Sequence, residues 1–220
     1  MANVEALPRR PLLAVGLPAA EAGRVAAILA HAEAMELERS ARVFRNSLTD
    51  TALVAVDEGF VVLRATFSKP SRSIITCEAG PGRLVLPPAP SEVLCAIEPA
   101  RLALISPRAR DELLTLPIVA RRMLDQMAFT LGEKHEALAI FAQTRHVERV
   151  RRKLFQLARA YGHVARDGVR IDFPITHALL AQMIGSSRET VTRALEQLQR
   201  DGIVARHGST YRLIGPVDLI

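Results

Sequence analysis

The 220-residue sequence predicts an α+β protein: a β jelly roll, a long helix, and a C-terminal winged helix-turn-helix. Three observations predict it. Short β-type runs crowd the first half of the chain. A leucine repeat follows, in a stretch with no proline and a single glycine. The last fifth reads helix, glycine turn, helix, hairpin. The expected boundaries are 1–115 for the β-rich domain, 116–144 for the helix and 145–220 for the winged domain.

The segment "PAAEAGRVAAILAHAEAMELE" from Pro18 is alanine-rich and predicts a helix, with Val25, Ile28, Leu29 and Ala32 on one face. Then come "ARVF", "ALVAV", "FVVLRATF", "RSIITCE", "RLVL", "EVLCAI" and "RLALIS". Turn signals such as Asp57-Glu58-Gly59 and Pro87-Pro88-Ala89-Pro90 separate them. Short strands in this number predict a small sandwich or jelly roll.

From Pro117 to Thr144 the spacing changes. Ala120, Met127, Lys134 and Phe141 recur every seven residues, and Leu124, Leu131 and Leu138 follow the first three by four. That is the a/d seam of a two-stranded coiled coil. Leu124, Met127, Leu131, Leu138 and Phe141 are therefore the expected dimerisation residues. A helix lying on its own domain is the alternative, and Lys134 interrupts the seam. A second helix, "RHVERVRRKLFQLARAYG", should stop at Gly162.

The C-terminal stretch supplies the functional signal. Thr176 is an expected N-cap for a helix over Ala178–Ile184. Gly185 permits a tight turn with positive φ. A further helix should run from about Ser187 to Arg200, with Ser186 or Ser187 as its cap. Its inner face is Val191, Ala194, Leu195 and Leu198. Its outer face is Arg188, Glu189, Thr192, Arg193 and Glu196. In this motif the N-terminal end of the second helix enters the DNA major groove. Arginine can donate two hydrogen bonds to guanine, and glutamate can accept one from cytosine. As a mere surface ion pair, Glu189 and Arg193 would contribute only about 0.2–0.5 kcal/mol. "IVARHGSTYRLI" predicts two strands around His207-Gly208-Ser209, a small wing.

Charge agrees with that reading. The net charge is +6. Residues 145–220 hold 13 basic and 7 acidic residues, so the whole excess of 6 lies there. A polyanionic partner for the C-terminal part follows.

"ITHALLAQMIGSSRETVTRALEQLQRDGIVARHG" resembles the DNA-binding domain of the Crp/Fnr family of bacterial transcription regulators, most closely in its "GSSRETVTRAL" core. The order of domains agrees. The resemblance implies a cyclic-nucleotide-binding-like sensor domain and a homodimer on double-stranded DNA. It also implies RNA polymerase as a partner and cytoplasmic localisation. By the resemblance Arg188, Glu189 and Arg193 read bases, and His177, Ser187, Thr190 and His207 contact the DNA backbone.

The sensor region departs from the family. Nucleotide-binding members carry a Gly-Glu-Leu stretch and then Arg-Ser/Thr-Ala; here the region reads "GPGRLVLPPAPSEVLCA". Pro90-Ser91-Glu92 stands where the arginine stretch would be. Lys134 and His135 replace small hydroxyl residues at the adenine position. Arg83 could meet a phosphate, but nothing in the sequence sets its geometry. Dependence on cyclic AMP is not expected. Control by another ligand, such as haem held by His31, Cys77 or His135 or a different nucleotide, is the alternative. No cofactor is expected.

Other classes find little support. There is no H-E-x-x-H, P-loop, G-x-S-x-G or Rossmann fingerprint, so no enzyme is expected. The histidines lack metal-ligand spacing. Cys77 and Cys95, the only cysteines, read as buried small residues. No apolar run approaches the ~18 residues of a membrane helix. The start, "MANVEALPRRPLLAVGLP", lacks the apolar core of a signal peptide.

Overall fold

A computed structural model describes residues 16–66, 73–171 and 173–214. The first 15 residues, the end of the strand expected from Phe60 and the start of the one expected from Arg72 lie outside them.

Helix α1 (Ala19–Leu29) is shorter than expected. The chain turns at Ala30–Ala32, and Glu33–Leu37 forms strand β1 instead. Alanine, glutamate, methionine and leucine all favour helix, but by only a fraction of a kcal/mol per residue. Pairing with a neighbouring strand and burial of Leu37 outweigh that. The helical reading of this segment was therefore wrong beyond Leu29.

Seven further strands complete the roll: β2 (Arg42–Val43), β3 (Leu53–Glu58), β4 (Val61–Thr66), β5 (Ser73–Ala79), β6 (Leu84–Val85), β7 (Glu92–Ala96) and β8 (Ala100–Ile105). They form two antiparallel sheets, ordered β1-β8-β3-β6 and β2-β7-β4-β5. Val54, Val56, Val61, Leu63, Leu94 and Leu102 fill the space between them. Alternation along β3 and β7 puts these side chains inward, as a two-layer roll requires.

Helix α2 (Pro107–Leu114) was not foreseen. Its signal is present: the Ser106 hydroxyl accepts from the Ala109 N–H at 3.2 Å, and Pro107 occupies the first turn. Leu113 joins Val25, Val119 and Met123 in a satellite core.

Helices α3 (Pro117–Phe141) and α4 (His146–Tyr161) follow. Gly162 ends α4 with extended rather than left-handed backbone. A Cβ there would lie 2.3 Å from the Ala158 carbonyl oxygen, so close approach demands glycine. Strands β9 (Gly162–Ala165) and β10 (Gly168–Ile171) precede α5 (His177–Ile184) and α6 (Arg188–Arg200). Strands β11 (Val204–His207) and β12 (Thr210–Leu213) close the described chain. The wing is thus a four-stranded sheet, β11-β12-β10-β9, rather than a lone hairpin.

The winged domain is seated on the roll. Phe60, Val62, Ile75, Val93 and Cys95 of the roll share one core with Leu154, Leu157, Leu180 and Ile184. Phe60 stacks on Phe173 with centroids 3.8 Å apart, and Tyr161 meets Phe60 edge-on. Charged groups bridge the same joint. Lys153 Nζ lies 2.7 Å from Glu78 Oε1 and donates to Gln156 Oε1 at 2.8 Å. The Tyr161 hydroxyl donates to the Glu78 carbonyl at 2.8 Å.

Candidate nucleic-acid interface

Helix α5 starts where expected. The Thr176 hydroxyl accepts from the Leu179 N–H at 3.1 Å. At its far end Gly185 has φ 62 and ψ 44, so the helix closes in left-handed backbone. A Cβ at Gly185 would sit 2.5 Å from Phe141 Cε1. The turn therefore requires glycine on two counts.

Of the two candidate caps for α6, Ser187 does the work. Its hydroxyl accepts from the Thr190 N–H at 3.1 Å. Ser186 instead faces the His146 ring, 3.1 Å away. Val191, Ala194, Leu195 and Leu198 are buried, which fixes the rotation of α6. Arg188, Glu189, Arg193 and Glu196 are consequently exposed on the opposite face. Glu189 is held below the usual carboxylate range by hydrogen bonding to its own amide and to Ser187, with smaller help from Arg188 and Arg193. It is therefore an anionic acceptor at neutral pH.

The flanking residues sit around this face. Ser187 and Thr190 lie at the start of α6. His207 is exposed at the end of β11, beside Gly208 with φ 61. His177 opens α5, and its Nδ1 lies 2.8 Å from Thr192 Oγ1.

The long helix carries two faces. Leu124, Met127, Leu131 and Leu138 are 58–67% exposed, a continuous apolar stripe. Two other a-position residues reach back to their own chain, although Lys134 is itself exposed. Lys134 donates to the Thr76 carbonyl, and half-buried Phe141 packs beneath Gly185. A straight helix drifts about 20° per heptad, which rotates the later a positions towards their own chain.

The region around Arg83 corrects one expectation: its geometry is set. Arg83 Nη2 lies 2.6 Å from Glu133 Oε2 on α3, and its guanidinium covers the Phe129 ring at 3.9 Å. Gln126 clamps the same loop, donating to Gly82 O at 2.8 Å and accepting from Leu84 N–H at 2.9 Å. Glu92 accepts from the Thr76 hydroxyl at 2.6 Å and from the Ala89 N–H at 3.1 Å. Between β5 and α3 there remains a void of about 20 Å³ lined by Thr76, Glu78, Thr130, Glu133, Lys134 and Lys153. That holds about one water. His135 is exposed rather than packed against the roll. Burial pushes the Cys77 thiol up to about 11, so it stays protonated. His31 lies far along the chain surface, in an open groove of about 810 Å³ with Glu33, Asp50 and Glu112. Among the described residues no cluster of His, Cys, Asp and Glu could hold a metal ion. No described helix is long and apolar enough to cross a membrane.

Comparison with known proteins agrees with the geometry. Residues 148–219 match the family model of the Crp-like helix-turn-helix domain. The chain is 30% identical over 107 residues to the global nitrogen regulator of Synechococcus elongatus, covering 49% of this chain and 48% of that one. It is 30% identical over 94 residues to a CRP-like cAMP-activated global transcriptional regulator of Mycobacterium tuberculosis, covering 43% of this chain and 42% of that one. The chain thus spans about half the length, or less, of the curated relatives it matches. Solved structures share the fold. A CooA mutant from Carboxydothermus hydrogenoformans superposes with a TM-score of 0.75 at 15% identity, over 88% of each chain. FixK2 from Bradyrhizobium japonicum superposes with a TM-score of 0.68 at 21% identity, over 83% of this chain and 92% of that one. A capped helix-turn-helix that exposes Arg188, Glu189, Arg193 and Glu196, behind a β-roll and a long helix, agrees with these matches: residues 148–219 form a domain of the Crp-like helix-turn-helix family, and the chain shares its fold with the solved structures.

Proposed function

We propose that the protein acts as a homodimer on a palindromic DNA site and binds it without cyclic AMP. The exposed face of α6 carries the reading. Arg188, Glu189 and Arg193 stand on it because Val191, Ala194 and Leu195 are buried beneath them. Two donor forks and one acceptor suit guanines and a cytosine, and with the Crp/Fnr resemblance they imply a half-site containing G-T-G-A or a close relative. Ser187, Thr190 and His207 border that face and suit phosphates. RNA polymerase is the further partner, in the cytoplasm.

The exposed Leu124, Met127, Leu131 and Leu138 stripe supports pairing with a second copy. Four large apolar side chains in one row on a surface mark an interface. Parallel pairing would set two α6 helices about one DNA turn, ~34 Å, apart. The Arg83–Glu133 pair and the small void beside it support independence from cyclic AMP, because the arginine is already neutralised and no room remains for a purine.

Competition binding on single-base variants tests the reading. Each bidentate contact contributes about 1–3 kcal/mol of discrimination. Arg193→Ala should therefore lose roughly 5- to 150-fold on the best site and relax its preference at one guanine. An equal loss on scrambled DNA would make Arg193 a phosphate contact and refute this assignment. Micromolar binding of cyclic AMP by calorimetry would refute the ligand independence.

A further inference from the structure

The half-buried ring of His177 is committed to a contact within the protein. Its Nδ1 lies 2.8 Å from Thr192 Oγ1, and the Thr192 hydroxyl lies 2.9 Å from the Arg188 carbonyl oxygen. A hydroxyl has one proton. A carbonyl has none, so the Thr192 proton goes to Arg188 O. The short contact on the other side then needs a proton from the ring: Nδ1–H donates to Thr192 Oγ1. A neutral imidazole with its proton on Nδ1 has a bare Nε2. That atom is buried and finds no partner among the described residues. A bare, buried nitrogen cannot donate to a phosphate oxygen.

The surroundings favour the neutral ring. Burial holds the His177 imidazole below its usual range, and the Arg206 and Arg188 guanidiniums add to this against a smaller opposing effect of Glu196.

We propose that His177 is a positioning residue for the recognition helix rather than a DNA contact. It ties the first residue of α5 to the outer side of α6. Through Thr192 it holds the backbone of Arg188, one of the base readers. Thr192 stands among Arg188, Glu189 and Arg193, yet its hydroxyl is already engaged on both sides and reads no base. This inference rests on the DNA-binding reading above.

Two amide substitutions separate the roles. The amide nitrogen of asparagine falls near the place of Nδ1, and that of glutamine near Nε2. A positioning role predicts that His177→Asn keeps operator affinity, while His177→Gln and His177→Ala lose about 2- to 12-fold, the range of one neutral hydrogen bond. Affinity for scrambled DNA and the salt dependence should not change. Thr192→Val should show the same loss, and adding His177→Ala to it should cost nothing more. In the free protein near neutral pH, nitrogen NMR should show Nδ1 protonated and Nε2 bare. The proposal is overturned if glutamine rescues and asparagine does not. It is also overturned if scrambled DNA weakens equally and the salt slope falls by about one phosphate, or if Nε2 carries the proton. Should the unaltered protein select no DNA site at all, the DNA reading falls by itself. The nitrogen spectra still decide whether the clamp exists.

Discussion

Replacing Lys153 with methionine strands a carboxylate in the joint between roll and winged domain. Lys153 is 2% exposed, and its ammonium lies 2.7 Å from Glu78 Oε1. Methionine keeps the length and most of the volume of the lysine stem, so packing changes little. The charge does not survive. Glu78 then loses the ammonium that pairs with it, since Lys134, the other lysine lining the void, donates to the Thr76 carbonyl. Gln156 also loses its donor, although its own amide still donates to Glu133 O at 3.2 Å. Removing one member of a buried pair costs about 3–5 kcal/mol. The Glu78 side chain keeps 12% of its surface, which favours the lower end, about 3 kcal/mol. With a urea m-value near 3 kcal/mol/M, the unfolding midpoint should fall by about 1 M. Adding Glu78→Leu should restore most of it, since an apolar pair in place of a buried ion pair is close to neutral. The assay is equilibrium urea unfolding of both single variants and the double. The reasoning is refuted if Lys153→Met moves the midpoint by less than about 0.2 M, or if the double loses the sum of the singles.

Further outcomes follow from the same geometry. Leu131→Glu places a charge in the apolar stripe of each α3 and should give monomers with weak operator binding; a variant still dimeric by light scattering would sink the pairing. Gly185→Ala meets left-handed backbone and the Phe141 ring together, and should destabilise by about 2 kcal/mol or more, with Phe141→Leu recovering part; a neutral change in melting temperature would contradict the contact. The depressed His177 pKa has a sign. The unfolded ring takes its proton as pH falls through about 6.5, while the folded ring resists. The unfolded state then binds more protons, so stability declines below that pH and levels off once the folded ring has also titrated. Thermal melts from pH 8 to pH 5 should show this, and His177→Asn should flatten it. No flattening would mean that other groups set the slope.

Local rules settle much of this protein. The cap at Thr176, the left-handed turn at Gly185 and the face of α6 follow from interactions within a few residues, and the structure places each where the sequence puts it. The strands of the roll announce themselves by alternation and by turn residues. Even the choice between Ser186 and Ser187 concerned one residue.

What the sequence left open depends on partners far along the chain. Glu33–Leu37 has helical composition, and only β8, more than sixty residues away, makes it a strand. Arg83 looked unsupported because Glu133 and Phe129 lie on a helix whose position no local pattern reveals. The heptad repeat marked an apolar stripe correctly at Leu124, Met127, Leu131 and Leu138. It did not show that Lys134 and Phe141 turn back to their own chain, because that depends on how α3 lies on the roll. The same holds for the engagement of His177 with Thr192. Periodicity and capping act over one or two turns, so sequence determines them. Which side chains meet across the joint is decided by packing the whole chain, and only the tertiary structure contains it.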